Sequence, residues 1–307
     1  MRSQMSFSVW LITTLFPIFL TFVIALRKDK YEVKEPLFLK QTWNCHDILV
    51  LLGIILLVQF LGLFLVYTEA VRLYMIRAYS IFFFFTIGCC LFVIVHYKYG
   101  GGISDLGFSR NELNANLILG LKVSFLFEFV ILLIPTVLGK EQILINRSQE
   151  FISLRVAEMP LHQLAIYLTG LLVAAPIVEE GIFRGFMYSP FRRKIGHKGS
   201  MLFTSLIWSI GHHNFESIGS LIILGIILAY LYAKRQSLIP NIVMHTMNSL
   251  VSLLIFLYLK IVENQCFFAF KWRSFILSLE VVLLVGFLVT AVIARKISQT
   301  TVKRGRP

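Results

Sequence analysis

The chain has 307 residues, of which 57% are hydrophobic, 14% aromatic and only 15% charged, and its mean hydropathy is +0.79. A water-soluble domain carries about 25% charged residues, so this composition excludes a soluble globular protein and describes a core formed against lipid. The formal net charge of +13 comes without a basic patch interleaved with aromatic residues; it reads as loop charge that orients membrane segments, and nucleic-acid binding is rejected.

Apolar stretches long enough for helices run over about 6–26, 47–68, 76–97, 115–139, 163–187, 199–213, 217–233, 238–260 and 274–294. The first is too long for a usual signal-peptide core and lacks a small-residue cleavage site before Arg27-Lys-Asp-Lys30, so it is expected to remain as a membrane helix. The sixth and seventh are short and joined by His212-His-Asn-Phe-Glu216, which points to tilted helices or helices packed inside the bundle. The expected fold is therefore all-α, a polytopic integral membrane bundle of about eight or nine transmembrane helices. The clearest break is the glycine-rich stretch 99–113, read as an inner loop leading by a short polar segment into the fourth helix. A division into N-terminal helices (1–160), a central core (161–260) and a last helix with a basic tail (261–307) follows from where the polar residues sit.

With the N-terminus outside and the C-terminus inside, the inner segments hold 18 of the 29 Lys and Arg residues and the outer segments 9; Lys122 and Arg184 lie in apolar runs. That asymmetry favours a cytoplasmic C-terminus. Cys45, Cys89, Cys90 and Cys266 show no Cys-x-x-Cys spacing and imply neither a disulfide framework nor a metal cluster.

The segment Ala-Pro-Ile-Val-Glu-Glu-Gly-Ile-Phe-Arg-Gly-Phe, 175–186, places Glu179, Glu180 and Arg184 in a run otherwise built for lipid. A carboxylate in a bilayer costs a few kcal/mol even on lenient scales, about 2.5–3.5 at the helix centre. Glu180 and Arg184 are four apart, so they share a helix face and can pair. Glu179 is rotated by about 100° from Glu180 and is free to face a water-filled cavity. The pattern thus reads as one architectural carboxylate held by Arg184 and one available for proton transfer; a buried ion network that only locks helices is the alternative. Pro176 is placed to kink or begin the helix, and Gly181 and Gly185 allow close approach.

Two further apolar segments carry histidines: His212 and His213 end the sixth, and His245 lies with Asn248 on one face of the eighth. A glutamate with two histidines can bind Zn²⁺ or activate water directly. Glu216, four after His212, is a possible further ligand or a solvated loop carboxylate. Counting at about 1.5 Å per residue puts His212 towards the outer end of its helix and Glu179 and His245 nearer the inner side, so the meeting of all three is not forced by the sequence.

The order Glu-Glu-x-x-x-Arg, aromatic-x-x-x-His, His-x-x-Asn, across roughly 170–250, resembles the CAAX protease and bacteriocin-processing (CPBP) family of intramembrane proteases. The resemblance implies an intramembrane endopeptidase acting on a peptide or a lipidated protein within membrane lipid. Glu179 would activate the attacking water, Glu180 and Arg184 would complete the first motif, and His212 and His245 would be the two active-site histidines, with Glu179, His212 and His245 as the possible metal ligands. The final polar position falls on Asn248 or Ser249, either of which would serve the oxyanion. Trp208 stands where the second motif usually has Phe. An idle scaffold of the same fold and a proton-coupled transporter are the other classes these residues allow, although paired broken helices in two related halves are not seen.

Overall fold

The computed structural model describes residues 32, 35–65, 69–139, 159–212, 217–262 and 268–304. The first apolar stretch, His213, Glu216 and Cys266 lie outside them. Among the described residues the chain is helical and has no strand, as the composition requires: in lipid, a helix satisfies its own backbone groups.

A short helix, α1 (Pro36–Lys40), precedes α2 (Cys45–Leu65), α3 (Glu69–Val93) and α4 (Leu113–Val137). The fifth helix, α5, covers Leu161–Phe186. It is interrupted by two wide π-helical turns, Gly170–Ala174 and Gly181–Phe186, with Ala175–Glu180 between them. Then come α6 (Tyr188–Gly211), α7 (Ile218–Arg235), α8 (Ile239–Val262) and α9 (Phe268–Arg304). Among the described residues, six segments are long and apolar enough to cross a membrane: Ile81–Lys98, Leu113–Val137, Leu161–Phe186, Ile218–Arg235, Ile239–Tyr258 and Ser278–Arg295. The chain is a multi-pass membrane protein.

The stretch at 47–68 falls in α2, of which Cys45–Leu61 is apolar among the residues whose side chains are described. One expected span differs. The stretch at 199–213 is the second half of α6, which bends at Gly196 (φ 77°, ψ 176°), a conformation that glycine adopts without a Cβ penalty. Its first half, with Arg192, Arg193 and Lys194, is too polar to cross.

Where helices approach closely, small residues line the contact, as van der Waals association in lipid demands. A Cβ on Gly225 of α7 would stand 2.8 Å from the Ser205 Cβ of α6, and one on Gly120 of α4 would stand 2.8 Å from the Pro240 carbonyl that opens α8. Gly185 meets not another spanning helix but the tight 3₁₀ turn Ile103–Leu106, whose Leu106 carbonyl would be 2.7 Å from an added Cβ. Gly181 has only ordinary contacts at 3.5 Å and beyond, so the expected close approach falls on Gly185 alone.

Two prolines explain the polar side chains around α5. Pro176 has no N–H to offer the Leu172 carbonyl four residues earlier, and the Thr246 hydroxyl of α8 donates to it at 3.0 Å. Pro190 likewise leaves the Phe186 carbonyl without its helical donor, and the buried Trp43 indole N–H supplies one at 2.7 Å. Beside it, Gln41 Nε2 donates to the carbonyls of Asp105 (2.7 Å) and Gly185 (3.3 Å) and to the Tyr232 hydroxyl (3.0 Å). Arg193 returns hydrogen bonds to the backbone carbonyls of Gln41 and Trp43. The segment 35–44 therefore caps the end of α5 and ties it to α6, α7 and the loop after α3.

Candidate active site

Helix α5 presents its two glutamates to different neighbours because successive residues are about 100° apart. Glu180 is fully buried. Its Oε1 accepts from Arg184 (2.9 Å) and from His245 Nδ1 (3.0 Å), and its Oε2 from Asn241 Nδ2 (3.3 Å). Arg184, also fully buried, donates to the Gly225 carbonyl at 3.2 Å, and its guanidinium lies over the Trp208 ring at 5.1 Å. Asn241 completes the cluster by donating to the Leu228 carbonyl at 2.6 Å. The expected Glu180–Arg184 pair is thus present, inside a wider network that draws on α7 and α8.

Glu179 faces the other way. Its Oε2 accepts the Trp208 indole N–H at 2.6 Å and stands 3.8 Å from His212 Nε2 and 3.9 Å from His245 Nε2. Glu179 and His212 are partly exposed, with side chains 17% and 28% accessible, so the cluster is not sealed. The structure brings Glu179, His212 and His245 together, with one ligand atom of each within 4.8 Å of the others.

The level of His212 follows from a contact that plain counting along α6 leaves out. The Ser200 hydroxyl donates to the Tyr188 carbonyl at 2.8 Å, so the first half of α6 and the bend at Gly196 are spent before the helix turns upward. Counted from that contact, Glu179 lies nine residues back along α5 and Trp208 eight residues forward along α6, and antiparallel helices then bring them level.

Both imidazole tautomers can be assigned from their partners. His212 Nδ1 faces the Trp208 carbonyl at 2.9 Å, and His245 Nδ1 faces the Glu180 carboxylate. Both partners only accept, so each Nδ1 carries a proton, and in the neutral tautomer the Nε2 turned to Glu179 is bare. In that tautomer three acceptors converge with no hydrogen to share among themselves. Such a set is completed by water donating into it or by a cation. Two imidazole nitrogens and one carboxylate oxygen also fit zinc, whose bonds of about 2.0–2.2 Å leave an open fourth position. The present separations of 3.8 and 3.9 Å need a small contraction to reach that geometry.

Asn248 and Ser249 lie half-buried on α8, one turn beyond His245. The Asn248 carbonyl accepts from Ser252, an ordinary helical back-bond. Residues that the sequence reading missed are Trp208 as a donor to Glu179, Asn241 as a donor to Glu180, and Gln41 and Trp43 at the end of α5. Only the last had a signal in the sequence: Pro190 announces an unpaired carbonyl at Phe186, without saying what fills it.

A helical membrane bundle with a carboxylate and two imidazoles converging below its surface defines the class. Residues 161–251, under a third of the chain, match the family described as Type II CAAX prenyl endopeptidase Rce1-like. The match supports assignment of the chain to the CPBP/CAAX protease family, and at that level to the intramembrane peptidases. No curated protein and no solved structure matches it. The matched segment carries Glu179, Glu180, Arg184, Trp208, His212, Asn241 and His245; Gln41 and Trp43 lie outside it.

Proposed function

We propose that this protein is an intramembrane endopeptidase in which Glu179 activates water for attack on a peptide bond of a membrane-associated or lipidated substrate. The observation that carries this reading is the convergence of Glu179 Oε2 with the Nε2 atoms of His212 and His245 in a partly accessible cluster. Water entering the cluster finds acceptors for both of its hydrogens. His212 and His245 orient it, and Glu179 takes a proton as its oxygen bonds to the substrate carbonyl carbon. Glu179 then returns that proton to the leaving amine as the C–N bond breaks. The developing oxyanion needs a donor, and the Asn248 amide or the Ser249 hydroxyl, one turn beyond His245 on α8, would offer one. Glu179, His212 and His245 would hold a zinc ion if one binds, and such an ion supplies Lewis acidity and a more acidic water. Glu180 and Arg184 have no part in proton transfer; they fix His245. The excess of inner Lys and Arg favours a site reached from the cytoplasmic side, with the C-terminus in the cytoplasm.

The test is Glu179→Gln, which keeps size and the indole hydrogen bond but cannot take the water proton. Cleavage of a substrate trapped from membranes is expected to fall about 10²–10⁴-fold, with insertion and thermal stability unchanged. His245→Ala should lose a similar factor, and the two losses should not add, because both residues serve one step. Full complementation of a deletion strain by Glu179→Gln would leave a scaffold of the same fold as the better reading.

A further inference from the structure

We propose that Trp208 is a positioning residue for Glu179, its indole N–H holding Oε2 between the Nε2 atoms of His212 and His245; this rests on the endopeptidase reading. Trp208 is 1% exposed, and a buried indole N–H needs an acceptor. The acceptor here is not a backbone carbonyl but the oxygen on which the two histidines converge.

That oxygen has reason to leave. In the neutral tautomer it faces two imidazole lone pairs, while the Arg184 Nε–H is buried without a hydrogen-bond partner in a guanidinium packed over the same indole. Turning towards Arg184 would give Glu179 a strong charged partner and remove it from the water site. The Trp208 N–H, at 2.6 Å, opposes that rotation.

The same residue also sets His212. The Trp208 carbonyl accepts the hydrogen bond of His212 Nδ1–H, which turns Nε2 towards Glu179. The indole ring meets His212 edge-on at 4.4 Å and His245 at 5.4 Å between centroids, which limits the rotation of both rings. One side chain thereby orients all three members of the cluster. Only the N–H contact depends on the indole nitrogen; the carbonyl and the ring packing survive replacement by another aromatic.

Trp208→Phe isolates that contact, since it keeps an aromatic ring and the backbone and removes the donor. Two readouts decide the matter. In protein labelled with ¹⁵N-tryptophan, the chain's four indoles give at most four side-chain signals, and Trp208→Phe identifies one of them. Glu179→Ala should move that signal upfield while leaving the others in place. With a farnesylated peptide ending in Cys-aliphatic-aliphatic-X as the probe, Trp208→Phe should lower kcat about 10- to 100-fold, the effect of one lost hydrogen bond to a charged group. KM and thermal stability should stay near wild type. An indole signal that ignores Glu179→Ala, or wild-type kcat in Trp208→Phe, overturns the proposal: the tryptophan would then be packing alone. If wild-type protein fails to cleave the probe, it is the choice of a prenylated substrate that is in error, and the indole signal still decides whether Trp208 holds Glu179.

Discussion

On the Glu180 side of α5, both carboxylate oxygens are occupied by donors from α5 and α8, and the partnered arginine reaches on to α7, with no exposure to solvent at either charge. On the Glu179 side, one oxygen has a single neutral donor and two imidazole Nε2 atoms beside it, and the side chain is partly accessible. The residues are adjacent and chemically identical, so the difference comes wholly from what the bundle places around them. Burying a charge is tolerated when the surroundings neutralise and hydrogen-bond it, and Glu180 has those surroundings. Proton transfer needs the opposite, a carboxylate whose partners do not saturate it. Under the proposed function the closed network serves architecture and the open one chemistry, and each can be perturbed without the other.

The largest expected effect on stability comes from opening the closed side. Arg184→Ala strands the Glu180 carboxylate in a dry site, and breaking such a pair costs about 3–5 kcal/mol. Folded yield in membranes should collapse, whereas Glu179→Gln should melt like wild type. Equal melting temperatures for the two variants would erase the distinction between the sides. Replacing both partners by apolar side chains of similar volume, Glu180→Leu with Arg184→Met, should recover part of the loss, because no charge is then left alone.

A smaller effect is expected where the closed side rests on the cap outside the matched segment. Trp43→Phe keeps the stacking on Phe186, at 5.3 Å between centroids, and removes the donor to the Phe186 carbonyl. Leaving that buried acceptor unpaired should cost about 1–3 kcal/mol, read as a lowered melting temperature in detergent. No loss would mean that water or another donor substitutes there.

The smallest effect concerns the rim of the same cap. Arg192 donates to Glu35, which lies outside the membrane-spanning segments. Partial burial pushes the Glu35 carboxyl up, but the Arg192 hydrogen bond, a backbone hydrogen bond and nearby positive charge outweigh it and hold it below its ordinary value. A carboxyl lowered on folding contributes stability above its unfolded value of 4.5, and that contribution is lost as pH falls through the lower folded value. The pair is partly exposed, so the contribution should stay below about 1 kcal/mol. Melting temperatures measured from neutral pH downward should show a small acid-side slope that Glu35→Gln reduces; an unchanged slope assigns it to other carboxylates.

Several features of the site were legible in the residues themselves. Glu180 and Arg184 pair because a four-residue spacing puts them on one helix face, a local rule that needs no knowledge of the fold. The rotation of Glu179 away from Glu180 follows from the same geometry. The depth of His212 was misjudged, because the bend at Gly196 and the Ser200–Tyr188 contact reset the count along α6. Asn241 and the donor role of Trp208 are not legible there, because a side chain that satisfies a charge from another helix leaves no periodic trace in its own.

What the sequence by itself determined is the class of environment and the local chemistry. Its apolar runs require helices in lipid, its prolines leave particular carbonyls unpaired, and its ionisable residues in apolar segments call for partners or function. These are consequences of composition and of spacing within a turn or two. The tertiary structure alone decided which carboxylate is sealed and which is open, which nitrogen of each histidine faces the cavity, and that Trp43, 143 residues from Phe186, supplies its missing donor. Those outcomes depend on the levels at which antiparallel helices meet, and levels are set by bends, loop lengths and close glycine contacts acting together. No single helix carries that information, because each donor finds its acceptor only when another helix arrives beside it.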